Sequence, residues 1–397
     1  MDPSTRRKFL KTAGLGAAAF GLSNTLFAQD NPKQGFDDKG DGVKSEKKWE
    51  PVSDRKIRVG IAGNGVCRFG PSFHFQDHPN VEVVAVTDLI PKRLAEMTKT
   101  CRCDKTYPSF EEMVKDDKIE AIFCATDAPS HARLCCLALE HGKHVCSAVP
   151  AVFENLEDGF KLFETVKKAK GLNYMLFETS VFHSDLYAMQ QLYKAGRLGK
   201  LIYSEGEYYH YMSTPIPSYK GWRVGLPPQY YPTHSNAYYN AVGNGSFTEV
   251  SCMGMPSIIP HLMPDGNRYK NPFGTEIALF RTSEGGMARM AVSWDTPGDH
   301  GEKGRIRAQK GTYYGEPKAI DTKGVDMKKP PLPPGLAAGH HGGSSTYLMN
   351  EFVMSILENR KPLVDITMAL NMSMSGIIAH HSAMKDGETM KIPQFVM

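Results

Sequence analysis

No CxxC pair occurs in this 397-residue chain, and that absence removes the usual framework for a zinc site. Its eight cysteines are also poorly placed to bridge one another. Cys124 and Cys146 fall in runs that read as buried strands, Cys135 and Cys136 are adjacent on one expected helix, and Cys101 and Cys103 stand too close together. Most are expected to serve as small core hydrophobes. Beyond the N-terminus no apolar run is long enough to span a bilayer, and no internal repeat is visible. An excess of charge is lacking too: 47 Lys and Arg exceed 43 Asp and Glu by four, and three of those charges belong to residues 1–28, where Arg6, Arg7, Lys8 and Lys11 face only Asp2. The remaining +1 offers no basic surface, so nucleic acid is not expected as a partner. His74 and His78 have the i,i+4 spacing of one helix face but no third ligand, so they read as ordinary helix residues and no metal site is expected. His380 and His381 read as solvated or packed, in a Met-rich helix whose stripe is core.

What is present begins with "STRRKFLKTAGLGAAAFGLSNTLFAQD". Paired arginines followed by Phe9, Leu10, Lys11 and a weakly apolar Ala/Gly run to about Ala28 form a twin-arginine export signal. It implies the twin-arginine translocase as a partner and a periplasmic or exported location. Leu26 stands where a cleavage site prefers a small residue, so an uncleaved, membrane-anchored form stays open. This route carries folded proteins and suits an enzyme that takes up a cofactor before export. Residues 29–54, polar and rich in charge, Gly and Pro, read as a linker.

The chain is long enough for two domains. From Ile57, "IRVGIAG", "VEVVAVTD", "EAIFCATD", "HVCSAVP" and "NYMLFET" read as buried strands, alternating with amphipathic helical runs such as "PKRLAEMTKT", "SFEEMVKD" and "SHARLCCLALEHG". Alternation of this kind predicts an α/β, doubly wound parallel sheet over residues 55–179. Past it, "LIYSEGEYYHYM", "TEIALFRTS" and "GMARMAVSWD" have period two with turn residues between, which predicts an α+β domain over 180–397 with a largely antiparallel sheet. "KKPPLPPG" reads as a loop.

"VGIAGNGVCRFG" follows the first strand. Gly63 and Gly65 allow a tight turn and close approach of a pyrophosphate to the next helix, although Arg68 stands where a third glycine is usual. Asp88 ends the second strand, 25 positions after Gly63, where a carboxylate accepts from a ribose 2′-hydroxyl and repels a 2′-phosphate; NAD is the expected cofactor. In "YYPTHS", Tyr231 and His234 can both move protons across Pro232, though the same residues also suit an ordinary loop.

The order Gly-rich turn, "VTD", "CATDAPSHARLCCLALEHGKHV" and "LYKAGRLGKLIYSEGEY" resembles the Gfo/Idh/MocA family of sugar-active, NAD(P)-dependent oxidoreductases, over nearly the whole chain after the linker. That family has Glu-Lys-Pro after the "GKHV" strand, its Lys near the nicotinamide; Ala148, Val149 and Pro150 stand here. One branch, the NAD-requiring α-N-acetylgalactosaminidase-type glycosidases, is similar in that departure, with Val-Pro-Ala as at Val149 to Ala151. It also has Tyr-x-His as at Tyr208 and His210, Trp-Arg as at Trp222 and Arg223, Tyr-Pro-Thr-His as at Tyr231 to His234, and Gly-His-Gly-Gly like "GHHGG" at 339–343. The branch has Glu where Ala148 stands.

The resemblance implies hydride transfer from a sugar ring carbon to tightly bound NAD, acidification of the neighbouring C–H, expulsion of the glycosidic oxygen, addition of water and return of the hydride. It implies His210, Tyr231 and His234 as acid/base residues, Tyr208, Arg223 and His341 as substrate contacts, and Thr126, His131 and Pro150 beside Gly63, Gly65 and Asp88 on the cofactor. His131 suits a helix cap equally well, and His210 and His341 have purely structural readings. Two alternatives stay open: net sugar oxidation or reduction, and sugar binding without catalysis. A homo-oligomer formed through the second sheet is expected by family analogy; sugar identity, anomer and individual proton roles are not legible.

Overall fold

The computed structural model describes residues 47–65 and 68–397; the expected signal at 1–28, most of the expected linker and Cys67 lie outside the described residues. Short, largely buried strands of two to seven residues build the first sheet. Its strands are β1 (Ile57–Ala62), β2 (Val81–Thr87), β3 (Thr106–Tyr107), β4 (Ala121–Cys124), β5 (His144–Ser147) and β6 (Tyr174–Leu176). Every pair is parallel and the order is β3-β2-β1-β4-β5-β6. The order reverses between β1 and β4, which opens a crevice at the strands' C-terminal ends.

Helices α1 (Phe69–Ser72), α2 (Pro91–Cys101), α3 (Phe110–Met113), α4 (His131–Glu140) and α5 (Leu156–Lys168) join these strands. The run "SFEEMVKD" is shorter than its pattern predicts. Ser109 caps α3 by accepting from the Glu112 amide at 3.2 Å, but Asp116 accepts from the Lys118 amide at 3.0 Å, and that local turn ends the helix after one turn. His74 and His78 are not helix residues at all. His74 takes φ 61° before the 3₁₀ turn Phe75–Asp77, and His78 follows it. Seven cysteines among the described residues are free and buried, as small core groups should be.

The second sheet contains β7 (Leu201–Tyr209), β8 (Phe247–Pro256), β9 (Phe273–Thr282), β10 (Met287–Ser293), β11 (Gly301–Ala308), β12 (Gly311–Tyr313), β13 (Pro317–Lys318) and β14 (Met390–Lys391), ordered β13-β12-β11-β7-β10-β9-β8-β14. Only β7 and β10 run parallel, so the sheet is largely antiparallel as the period-two pattern predicts. One face is covered by α7 (Thr233–Gly243) and α9 (Ile366–Ala383); α6 (Ser184–Lys194) and α8 (Ser345–Leu357) complete the chain's helical part.

The C-terminal helices return to the first sheet. The Ala151 amide donates to Ser373 Oγ at 3.1 Å, the Leu176 amide to the Val364 carbonyl at 3.0 Å, and Phe352 meets Phe177 edge-on at 6.0 Å. Phe177 stacks in turn on Phe73 and Phe75 beside Phe123. Each fully buried Phe of that cluster contributes about 1.5–3 kcal/mol, so the halves are joined by core, not only by a linker. His380 is packed in α9, its Nδ1 2.7 Å from Glu276 Oε1.

Candidate active site

The first wall is made by strand ends. Gly63 has φ 95°, and a Cβ there would lie 2.3 Å from the Ala125 carbonyl oxygen, so only glycine lets the β1 turn pass β4. The close-packing glycine expected where Arg68 stands is supplied two positions later by Gly70, whose Cβ would meet the Gly63 carbonyl at 2.3 Å. The helix it begins, α1, is a single turn. Asp88 locks the wall: Oδ2 accepts from the Asn64 amide and Oδ1 from the Ile90 amide, each at 2.8 Å.

These residues border a cavity of about 290 Å³ that also takes in Thr126, His131, Ala148 and Val149. Its opposite wall comes from the second half of the chain: Tyr219, Lys220, Trp222, Arg223 and Tyr231. The space in front of Gly65 is open, since a Cβ there would meet no atom within 4 Å, which leaves the backbone accessible to a pyrophosphate. The structure thus brings Gly63, Gly65 and Asp88 together on one wall of the cavity, with open backbone at Gly65.

His131 does line this cavity, and it also ties two loops together. Its Nδ1 is 2.8 Å from the Pro150 carbonyl and its Nε2 3.3 Å from the Thr126 carbonyl. Burial holds its pKa below the ordinary value. Pro150 itself is not part of the cavity lining; it acts on the wall through this bond.

Tyr231 and His234 straddle the start of α7, and two close backbone approaches hold them. A Cβ on Gly206 of β7 would lie 2.0 Å from the Ser235 carbonyl, and a Cβ on Gly376 of α9 would lie 2.3 Å from the Gln229 carbonyl. The segment is thus pressed between sheet and helix. Arg223 extends over the rings of Trp222 at 4.2 Å and Tyr231 at 5.2 Å, a fixed cation beside the phenol.

Tyr208, His210, His234 and His341 do not line the cavity; they form a buried layer behind it. Tyr208 packs on His234 with ring centroids 4.6 Å apart and on Tyr231 at 6.4 Å, and its hydroxyl shares a 3.0 Å hydrogen bond with His210 Nδ1. His210 is held neutral, its pKa lowered to about 4 by burial and by the nearby charges of Arg223 and His300. His341, with φ 56°, lies edge-on to Phe69, a cavity residue, at 5.3 Å; burial lowers its pKa to about 4.

The sequence reading missed two buried carboxylates. Glu178 Oε1 is 2.7 Å from His234 Nδ1, and Glu302 Oε1 is 3.4 Å from the same nitrogen. Burial opposes charge on His234, but the two carboxylates outweigh it and push the pKa up to about 9. Glu178 follows β6 and Glu302 lies in β11, directly paired with Tyr208 in β7. No motif spacing links positions 178, 234 and 302; the β7–β11 register sets Glu302 only against Tyr208.

Residues 57–177 match the Gfo/Idh/MocA model, described as an oxidoreductase family with an NAD-binding Rossmann fold. A glycosyl hydrolase family 109 protein of Bacteroides thetaiotaomicron is 29% identical over 206 residues, 49% of this chain and 42% of the relative. The chain spans less than half the length of that relative and of the next three it matches. A family 109 protein of Akkermansia muciniphila is 25% identical over 372 residues, covering 80% of this chain and 75% of the relative. Among solved structures, a levoglucosan dehydrogenase in complex with NADH and levoglucosan superposes with a TM-score of 0.68 at 16% identity, over 86% of this chain and all of that one. The fold is shared at that distance. With a Rossmann crevice, its glycine turn and Asp88 in place, residues 57–177 form an NAD-binding Rossmann domain of the kind that the Gfo/Idh/MocA oxidoreductase model describes.

Proposed function

We propose that this protein is an exported, carbohydrate-active enzyme that oxidises a sugar ring carbon transiently and couples that step to cleavage of a glycosidic bond. The observation that carries the reading is the shared cavity: Tyr231 and Arg223 face Gly63, Gly65 and Asp88 across it, with Ala148 and Val149 where a lysine-bearing sugar dehydrogenase presents its ammonium. The names of the family 109 relatives support cleavage as the outcome.

Gly63, Gly65, Asp88, Thr126 and His131 hold the cofactor's wall. Bound NAD supplies a reversible hydride acceptor, which makes the carbon beside the oxidised one acidic. Tyr231, held between sheet and helix on the cavity wall, is the group assigned to take and return a proton there, and Arg223 orients sugar hydroxyls while keeping positive charge beside the phenol. His210, neutral at pH 7, receives or returns protons through Tyr208. His234 acts one layer behind, fixed by Glu178, as the positive centre against which Tyr208 and Tyr231 pack. His341 shapes the cavity through Phe69.

The test uses folded full-length protein on aryl and natural glycosides in heavy water, following aglycone release, NADH absorbance and deuterium in the product. Aglycone release with deuterium beside the oxidised carbon and no accumulating NADH supports the proposal. Stoichiometric NADH with an intact glycosidic bond means net dehydrogenation, and failure of both in the face of sugar binding means a binding protein. Export rests on the Arg6–Arg7 signal; replacing both by Lys should retain the protein in the cytoplasm on cell fractionation. Among the described residues no helix is long and apolar enough to cross a membrane.

A further inference from the structure

Glu178 and Glu302 pose an electrostatic problem that the proposed sugar chemistry does not solve. Two carboxylates lie together in the protein interior, the Glu178 side chain fully buried and that of Glu302 9% exposed. Burying two anions is costly unless matching positive charge comes with them. The imidazoles of His234 and His183 are the neighbours: His183 Nε2 stands 3.4 Å from Glu302 Oε2. Arg223 lies near enough to oppose charge on His234 rather than to pair with the acids.

Two atoms of the cluster are also left over. Glu178 Oε2 is buried and makes no hydrogen bond; the Thr233 hydroxyl beside it has no bond of proper geometry either. His183 Nε2 is buried and makes no hydrogen bond, despite its nearness to Glu302. A buried carboxylate oxygen left without a hydrogen bond, in a cluster with a second carboxylate and an imidazole, is what a missing cation leaves behind.

We propose that Glu178, His234 and Glu302 form a binding site for a divalent first-row transition-metal ion, with His183 beside Glu302 at its edge. The donor set is one imidazole and two carboxylates with room for a further ligand, and the imidazole suits Zn²⁺, Mn²⁺, Fe²⁺ or Co²⁺ over Ca²⁺. One ligand atom each from Glu178, His234 and Glu302 lie within 4.8 Å of one another. Ligand atoms ~2.0–2.2 Å from a tetrahedral ion are ~3.3–3.6 Å apart. The 3.4 Å separation of His234 Nδ1 from Glu302 Oε1 already has that spacing, and the 2.7 Å contact between His234 Nδ1 and Glu178 Oε1 must widen by roughly 0.6 Å.

The ligands are also oriented from outside. Ser180 donates its amide to Glu178 Oε1 at 2.9 Å and its hydroxyl to Glu302 Oε2 at 2.5 Å, a pair of supporting bonds of the kind that aim metal-binding carboxylates. Glu178 and His183 flank one short turn, His234 lies in the first turn of α7 and Glu302 in β11, so the site joins three elements of the fold. A bound ion would put a fixed positive charge behind Tyr208 and Tyr231 in place of the proton on His234. The inference stands on the cluster's geometry and does not depend on which sugar reaction the cavity performs.

The experiment measures metal directly. Full-length protein is purified without chelator and its metal content determined by elemental mass spectrometry; a stripped sample is then titrated with Co²⁺ and its visible absorption recorded. The expected result is about one ion per chain, tetrahedral cobalt bands on reconstitution and a lower melting temperature after stripping. Glu302→Gln and Glu178→Gln should lose the ion, while His74→Ala, at a part-exposed site apart from the cluster, should keep it. Wild-type protein that is metal-free and shows neither cobalt bands nor a shift in melting temperature overturns the proposal. So does metal content that survives both ligand substitutions in folded protein, since the ion is then held elsewhere. Because the readout needs no sugar turnover, a metal-free active glycosidase and a metal-loaded inactive one are told apart.

Discussion

Gly376→Ala is expected to damage catalysis from the far side of α9 without touching substrate or cofactor. The new Cβ would lie 2.3 Å from the Gln229 carbonyl oxygen and 2.3 Å from Pro232 Cγ. Ordinary contact begins near 3.4 Å, so the segment 229–232 must retreat by about 1.1 Å, carrying Tyr231 with it. A displacement of roughly 1 Å in a group that must meet a reacting atom costs on the order of a hundredfold in rate. Two opposing effects decide the stability change. Ala in place of Gly inside a helix gains about 1 kcal/mol, while overpacking a filled core costs about 1–3 kcal/mol. Net destabilisation should therefore be small, ~0–2 kcal/mol. The assay compares aglycone release, NADH binding by fluorescence and the thermal melt. The expected pattern is a kcat lowered about a hundredfold, NADH affinity unchanged and a melt shifted by a few degrees at most. Full turnover in a variant with unchanged or raised stability would refute the reasoning, because Tyr231 would then tolerate movement that its proposed role forbids.

Tyr231→Phe should lower turnover by about 10²–10⁴-fold while leaving NADH binding intact, as expected for loss of a positioned proton carrier; an unchanged kcat removes Tyr231 from the mechanism. Asp88→Ser should raise affinity for NADPH relative to NADH, because the acceptor for the ribose hydroxyl is lost while Arg93 remains on the same wall; equal fluorescence titrations before and after would sink that assignment. Acid should unfold the protein partly through His78. Its pKa is lowered to about 4 by burial, against the bond to Asn350, and its Nδ1 accepts from the Asn80 amide at 3.0 Å, a bond that protonation breaks. The unfolded imidazole binds its proton near pH 6.5, so this contribution is full above that pH and fades as pH falls toward 4, by about 3 kcal/mol in total. Urea melts should show a shallower pH slope in His78→Gln than in wild type, and equal slopes would contradict the assignment. On the uncovered face of the second sheet Met253, Met255, Ile277 and Leu279 are exposed, Met253 opposite Ile277; if a second copy covers them, Leu279→Glu should shift the protein to monomer in sedimentation, and an unaffected state excludes that face.

The first sheet was legible because its information is local. Each strand is a short apolar run, each turn carries Gly or Asp at a fixed offset, and Gly63, Gly65 and Asp88 are found by counting. Even the departure at Arg68 is local, since the backbone needed one small residue near the start of α1 and found it at Gly70. The antiparallel half was legible as strands but not as a site. Tyr208 and Tyr231 are tied together by Gly206 and Gly376, two residues with no side chain to announce that a carbonyl lies 2.0–2.3 Å from where a Cβ would stand. His74 and His78 show the reverse failure: helical spacing without a helix, because a left-handed residue at His74 starts a 3₁₀ turn instead.

The acidic pair behind the cavity explains why function is harder to read than fold. Glu178 sits at the end of a strand whose apolar run attracts all the attention, and Glu302 sits in a strand of alternating charge, "GEKGRIRA", that reads as solvent-facing. Neither position is unusual in its own segment. Their meaning comes from the register that sets Glu302 against Tyr208, from the turn that places Glu178 and His183 on either side of Ser180, and from α7 delivering His234 between them. Charge enters the interior there because the fold supplies partners from three directions at once, and each partner is affordable only in the presence of the others. Removing one should therefore cost far more than its own contacts suggest. A double-mutant cycle between Glu178→Gln and Glu302→Gln measures that dependence: a coupling of about 1–3 kcal/mol marks a single charged unit, and additive losses would mean two separate acids that happen to be near one imidazole.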